Sequence, residues 1–433
     1  MTLAGTTLLN GIAVLARLLT GLVLNKVLAV MVGPTGYGVI GQFQSFASMV
    51  VAFASAPVGN GVVKYTAEFG GQEERRAAVW RTAATLGLIL ALTTSFLMVC
   101  FQRPLAAWSI ADEGRSWLVV VLACALAFMV LNALLIAILN GLKQVRALVA
   151  ANMAGSLISA LTAIGLVTWQ GLNGALAALA VSQSLAFVVT LFIFRRHVRA
   201  SLRGMIGRLD PTLARGLGRF AIMGLTSAIV IPIAQMIMRE HLARTLGWST
   251  AGLWQALWKI SETHLLLLTS TLSVYFLPRF AEIQDGSELR REVLRGLGFV
   301  VPLVLTTSGL LFFGRHEIVK LMLSERFLPM LDAFGPQLLG DIFKVISLVP
   351  AYTMLSHGQT RVYVVTEIVF SAVLAGLTVW FSQTMGLRGA ALGYAATYAL
   401  YGVTMWFVLR RLLVRLGARP PSDLAIAVDN PQP

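Results

Sequence analysis

Lys26, Arg239, Lys259 and Lys344 set ammonium and guanidinium groups inside long apolar runs, and Glu240, Glu262, Asp341 and His264 stand among them. Cations held away from water suit phosphate oxygens: guanidinium offers a planar fork of donors and ammonium a compact point charge. With Arg17 added, the embedded cations outnumber the embedded carboxylates, so a cavity built from these groups would be positive and would take an anionic substrate. Glu262, Asp341 or His264 could in turn exchange a proton or a cation. Each group also has a plainer reading. Lys259 with Glu262, and Asp341 with Lys344, are three residues apart and could simply neutralise each other on one helix face. Lys64, at the end of an apolar run, and Arg17 could snorkel to lipid headgroups. His264 could be a hydrogen-bonded interior histidine. Arg239 and Glu240 are adjacent, about 100° apart on a helix, and should seek different partners.

The elements that position these groups are membrane helices. The chain has 433 residues, 57% hydrophobic and only 12% charged, with a mean hydropathy of +0.79. That composition excludes an ordinary soluble domain and implies an all-α polytopic membrane protein. A span takes roughly 20 apolar residues. Cutting the sequence at charged, Gly and Pro punctuation predicts twelve transmembrane helices, near 4–32, 36–66, 78–101, 117–139, 149–169, 174–194, 218–244, 250–278, 296–314, 334–357, 362–382 and 388–409. Pro57 and Pro232 fall inside spans, where they mark bends.

Assigning the loops alternately to the two sides separates the basic residues. One side collects most of the Lys and Arg, including Arg75, Arg76, Arg81, Arg195, Arg196, Arg290, Arg291, Arg410 and Arg411; the other has Arg103, Arg115, Arg244, Arg315, Lys320, Arg326 and Arg388. The richer side is cytoplasmic and holds both termini. The formal charge of +15 therefore reflects cytoplasmic loops, and no nucleic-acid partner is expected. The first apolar run lacks the cleavage pattern of a removable signal peptide and should remain as a span.

The chain also resembles itself. At an offset of 214, Leu28, Ala29, Gly33, Gly38, Glu68, Arg76 and Arg81 meet Leu242, Ala243, Gly247, Gly252, Glu282, Arg290 and Arg295. At 215, Gln144, Arg146, Gly171, Leu172, Gly174, Ala175, Arg195 and Arg196 meet Gln359, Arg361, Gly386, Leu387, Gly389, Ala390, Arg410 and Arg411. The repeat predicts two six-helix lobes of the same topology, 1–194 and 220–411, joined by a basic cytoplasmic connector, 195–219. Residues 412–433 form a cytoplasmic tail with little to bury, expected to be disordered. Transporters of this layout bind substrate where the lobes meet and alternate access by rocking.

Enzymatic signatures dissolve on inspection. Gly36, Gly38 and Gly41 spell GxGxxG, but at a turn between two membrane spans rather than after a strand. The sequence contains no Walker A segment and no HExxH, and Cys100 and Cys124 are isolated in apolar stretches. No catalytic residue, metal or cofactor is expected, and the chain is not read as an enzyme.

A family resemblance covers nearly the whole chain and is clearest in four segments: GPTGYGVIGQFQSF at 33–46, NGVVKYTAEF at 60–69, LWQALWKISETHLLLLTSTLSVYFLPRF at 253–280 and QLLGDIFKV at 337–345. Through them the sequence resembles the Wzx-type polysaccharide flippases of the multidrug/oligosaccharidyl-lipid/polysaccharide exporter superfamily. The nearest subgroup is the flippases of the enterobacterial common antigen repeat unit, with O-antigen translocases beside it. The resemblance implies a V-shaped central cavity between the lobes and ion-gradient-coupled alternating access. It also implies translocation of an undecaprenyl-diphosphate-linked oligosaccharide from the cytoplasmic to the periplasmic leaflet of the bacterial inner membrane. Membrane lipids, and a polymerase and chain-length regulator of the same pathway, are the further partners it implies. Lys26, Lys64, Arg239, Lys259 and Lys344 fall in matching segments as diphosphate-binding candidates, and Asp341 as an ion-coupling one. Arg17 joins the diphosphate candidates on burial alone. Two alternatives share some of these features: a cation-coupled multidrug exporter of the same superfamily, for which a positive cavity is ill suited, and a membrane glycan polymerase or ligase, which would need a larger periplasmic loop.

Overall fold

The computed structural model describes residues 3–198, 207 and 209–417, excluding the side chains of 3–18, 219, 220, 222, 223, 227, 267, 270, 271, 273, 274 and 360. The Arg17 side chain and residues 418–433 of the expected tail lie outside that set. All regular structure among the described residues is helical: α1 (Leu3–Ser55), α2 (Asn60–Glu68), α3 (Glu73–Cys100), α4 (Gln102–Ile110), α5 (Ser116–Gly141), α6 (Val145–His197), α7 (Pro211–Leu246), α8 (Trp248–Glu282), α9 (Gly286–Met322), α10 (Leu331–Ser356) and α11 (Thr360–Gly417). A helix satisfies its backbone within one segment, which a lipid environment demands. Seven helical stretches among the described residues are long and apolar enough to cross a bilayer: Leu19–Glu68, Glu73–Cys100, Glu113–Gly141, Val145–His197, Gly286–Met322, Glu325–Ser356 and Arg361–Leu416. The chain is a multi-pass membrane protein.

Three helices are too long for one crossing. α1, α6 and α11 have 53, 53 and 58 residues, which if straight would run about 80–90 Å against a hydrocarbon core of about 30 Å. Each is broken at a glycine with positive φ: Gly33 (φ 64°, ψ −175°), Gly171 (φ 56°, ψ −128°) and Gly386 (φ 56°, ψ −137°). The left-handed conformation penalises any residue with a Cβ. Past the last two breaks the chain folds back on itself. A Cβ on Gly174 would come 1.8 Å from the Leu166 carbonyl oxygen, and one on Gly389 2.1 Å from that of Phe381. The GLxGA motif is thus a turn in which the first glycine supplies the dihedral and the second the space.

Two packed units divide the chain: residues to Gln255 with Val319–Leu328, and Ala256–Ile318 with the chain from Pro329 onward. In the first unit α1 packs against α6 and α7, and α5 against α3 and α6. Phe43, Phe46, Leu118 and Leu122 are buried at its centre, and Trp80 Nε1 donates to Thr66 Oγ1 at 2.9 Å. In the second unit α10 packs along α11, and a core of Phe276, Phe280, Val300, Val345, Val349 and Leu409 joins α8, α9, α10 and α11. Two helix starts outside the apolar stretches are capped by carboxylates: at the start of α7, Asp210 accepts from the Thr212 and Leu213 amides. Asp285 accepts from the Glu288 amide and the Ser287 hydroxyl. These bonds hold both carboxyls below the usual carboxylate range.

Candidate functional site

The embedded charges fall into two groups, one in each unit. In the first unit α7 places Arg239 1% exposed. Its Nη2 and Nε donate to Gln255 Oε1 at 2.7 and 3.1 Å, and its Nη1 to Gln42 Oε1 at 2.8 Å. Ser45 Oγ lies 3.4 Å from both Nη1 and Nη2, and the Trp254 ring centroid 5.6 Å from Cζ. Amide and hydroxyl dipoles fix the orientation of the guanidinium. Gln42 is itself pinned, donating from Nε2 to the Trp108 carbonyl at 3.4 Å. Space for this cage comes from the GxGxxG segment: a Cβ on Gly41 would meet the Gln255 side chain at 2.5 Å.

Glu240 turns away from Arg239 and pairs with Arg244 at 2.5 Å, as their separation on the helix requires. Half-buried Lys26 donates to the Lys320 carbonyl at 2.5 Å, near the C-terminal end of α9, where the helix dipole favours a cation. Lys64, on α2, is exposed, its Nζ 5.4 Å from the Tyr65 ring centroid.

In the second unit Lys259 Nζ lies 3.4 Å from Glu262 Oε2, and the other Glu262 oxygen accepts from Trp258 Nε1 at 2.9 Å. Asp341 and Lys344 diverge despite their spacing. Lys344 Nζ sits 4.9 Å from the Tyr398 ring centroid and 6.0 Å from that of Tyr394. Asp341, fully buried, uses Oδ1 to accept from Tyr394 Oη at 2.9 Å and from Ser261 Oγ. Its Oδ2 faces His264 Nδ1 across 3.6 Å, and both atoms are buried without a hydrogen bond among the described residues.

That gap has chemical content. Thr307 Oγ1, 3.0 Å from His264 Nε2, also lies 3.0 Å from the Leu303 carbonyl. A hydroxyl that gives its one hydrogen to the carbonyl can only accept from the imidazole, which fixes the Nε2–H tautomer and leaves a lone pair on Nδ1 facing the carboxylate. A proton or small cation between Nδ1 and Oδ2 would relieve that opposition.

The sequence pattern singled out Asp341 and His264 by their charge, but Ser261, Thr307, Tyr394 and Tyr398 are neutral and gave no such signal. Glu367 was also passed over. It lies half-buried within the 362–382 run, in electrostatic contact with Lys344, and its charge was the signal available.

Over residues 27–332 the chain matches the family described as "Polysaccharide biosynthesis protein". It is 28% identical over 401 residues to the Lipid III flippases of Escherichia coli (strain K12) and Shigella flexneri, a span that covers 93% of this chain and 96% of each relative. Among solved structures, a multidrug-resistance MATE family transporter of the MOP superfamily in its inward-facing conformation superposes with a TM-score of 0.77 at 16% identity, covering 92% of this chain and 95% of that one. An outward-facing MATE transporter superposes with a TM-score of 0.66 at 15% identity, covering 96% and 97%. At such identities the likeness establishes the fold. The family match extends over most of the sequence and takes in the Gly33–Phe46 and Leu253–Phe280 segments, so the resemblance they carried holds, and the chain belongs to the polysaccharide biosynthesis protein family.

Proposed function

We propose that this protein is a flippase. It moves an undecaprenyl-diphosphate-linked oligosaccharide repeat unit, of enterobacterial common antigen or O-antigen type, from the cytoplasmic to the periplasmic leaflet of a bacterial inner membrane by alternating access. The observation that carries this reading is the near full-length likeness to the two Lipid III flippases. The fold common to MATE transporters supports an alternating mechanism over a glycan-polymerising one.

The proposed architecture counts α1, α6 and α11 twice, divided at Gly33, Gly171 and Gly386, and with α3, α5, α7, α8, α9 and α10 gives twelve spans. Two six-helix lobes, 1–194 and 220–411, belong to the same proposal. Their support is that glycines paired by the repeat share a backbone state: Gly171 with Gly386, and Gly33 with Gly247 at φ 88°. Both termini are assigned to the cytoplasm in this proposal, with the basic loops as its support.

Lys26, Arg239 and Lys259 are proposed to hold the diphosphate, with Arg17, Lys64 and Lys344 contributing positive potential. Arg239 supports this best, because it is 1% exposed and Gln42, Ser45 and Gln255 hold its guanidinium in a set orientation. Coupling to an ion gradient is assigned to Asp341 and His264, with Glu262, Lys259, Lys344 and Glu367 as the charged groups around them and Tyr394 and Tyr398 as the titratable hydroxyls. A proton entering the Nδ1–Oδ2 gap would make an imidazolium–carboxylate pair from two opposed lone pairs. A polymerase and a chain-length regulator are the proposed downstream partners.

The experiment is transbilayer movement of a fluorescent undecaprenyl-diphosphate oligosaccharide in liposomes carrying the purified protein, with and without an imposed proton gradient. Protein-dependent movement is expected. Absence of movement with lengthening of the glycan would make the protein an enzyme.

A further inference from the structure

Beside the Arg239 cage, the first unit contains a cavity of about 370 Å³. It lies between α4, the α7–α8 turn and α1, at the end of the unit that the basic loops place away from the cytoplasm. Trp108 and Trp248 line it, with Asp112, Glu113, Glu240 and Arg244. Its floor is Gln42, the side chain that also holds Arg239. The volume falls within the range of about 300–1,000 Å³ typical of small-molecule sites.

The geometry points to a binding site for an oligosaccharide, the sugar end of the substrate proposed above. A pyranose has two apolar C–H faces and a rim of hydroxyls that both donate and accept. Indole rings supply large rigid apolar surfaces, carboxylates accept from hydroxyls, and the Arg244 guanidinium donates to them. Charge argues against an organic cation as the occupant. Asp112 is paired with Arg115 at 3.3 Å and Glu240 with Arg244 at 2.5 Å, so among the described residues Glu113 is the lining carboxylate with no ion pair within 4 Å. A metal is not indicated either: no cluster of three or more ligating side chains occurs among the described residues. The shared Gln42 joins the two ends of the substrate structurally, because its Oε1 holds the proposed diphosphate ligand while its Nε2 is bonded to the backbone of Trp108.

The inference rests on the flippase reading, and its test is separable from that reading. Binding of free, lipid-free chitotriose to the purified full-length protein in detergent micelles is measured by calorimetry, with tetraphenylphosphonium as the competing probe. The wild type should bind chitotriose, and Trp248→Leu and Glu113→Gln should each bind roughly tenfold more weakly. Arg410→Ala, in the second unit and outside the cavity lining, should bind as the wild type does, and all variants should keep their unfolding midpoints. Binding without transport would sink the flippase reading and leave the cavity assignment standing. Failure of the wild type to bind chitotriose, preference for tetraphenylphosphonium, or equal binding by Trp248→Leu would overturn the assignment, whatever transport shows.

Discussion

Gly38 and Gly252, 214 positions apart and matched by the internal repeat, pack backbone against backbone. A Cβ on Gly38 would stand 2.9 Å from the Gly252 amide nitrogen, and one on Gly252 would stand 1.7 Å from the Pro34 carbonyl oxygen. Small residues let membrane helices approach this closely, and van der Waals packing is then what holds them. Gly252→Ala should therefore force the helices apart and destabilise the protein by at least about 1–3 kcal/mol, the usual cost of overpacking. Gly71→Ala, which would meet nothing within 4 Å, should change stability by less than about 0.5 kcal/mol. Thermal unfolding of both variants in detergent decides this, and equal midpoints would refute the contact.

Arg239 combines a structural and a proposed substrate role, and substitution should separate them. Arg239→Ala leaves Gln42 and Gln255 with buried unsatisfied oxygens, each costing about 1–3 kcal/mol, so both stability and translocation should fall. Arg239→Lys keeps the charge but loses the fork that spans Gln255 and Gln42, and should recover abundance better than transport. Lys259→Ala removes an ion pair whose side chains are 35% and 48% exposed. Such pairs contribute little to stability, so abundance should persist while flipping is lost. Undiminished flipping in alanine variants of Lys26, Arg239 and Lys259 alike would remove the diphosphate assignment.

Helical class, membrane insertion and family were legible because they are written in composition and in strings of residues. The repeat was legible for the same reason: Gly171 and Gly386 must each adopt positive φ, and glycine is the residue that does so freely. What the sequence concealed was partnership. Lys259 and Glu262 meet as their i, i+3 spacing suggests, yet Asp341 and Lys344 at the same spacing diverge. Tertiary neighbours decided it: Ser261 and Tyr394 capture the carboxylate, and the Tyr398 ring captures the ammonium. The cage of Arg239 is built from Gln42, Ser45 and Gln255, polar residues common in any sequence, and only their convergence across α1, α7 and α8 distinguishes them.

Strong acid should weaken the helix caps. Asp210 and Asp285, outside the apolar stretches, have carboxyls held below the usual carboxylate range, first by side-chain bonds from Thr212 and Ser287 and then by backbone amides. A carboxylate whose folded value is depressed contributes stability above its unfolded value, and that contribution is lost as pH falls through the folded one. The unfolding midpoint should thus decline as pH drops below about 4, and Asp285→Ala should be less stable at neutral pH but show a shallower decline. A variant parallel to the wild type across that window would show that the cap does not titrate with folding.

Asp341 and His264 present the sharpest test of coupling, because neither variant need disturb the fold. Asp341→Asn preserves an oxygen to accept from Ser261 and Tyr394, and its amide hydrogen can donate to the lone pair of His264 Nδ1 across the present 3.6 Å separation. The gap is then permanently satisfied, as if protonated. Gradient-driven acceleration of flipping should disappear, while passive exchange of the lipid-linked oligosaccharide without a gradient should persist. His264→Gln should likewise abolish the acceleration by removing the group that receives the proton, and Thr307→Val should weaken it by releasing the imidazole tautomer. A Glu262→Gln variant separates this pair from its neighbour, because Glu262 is already engaged by Trp258 and Lys259 and its loss should lower the gradient response less than the loss of Asp341. Reconstituted Asp341→Asn that still accelerates under an imposed proton gradient would exclude the buried pair as the coupling site and move the assignment to Glu262 or Glu367.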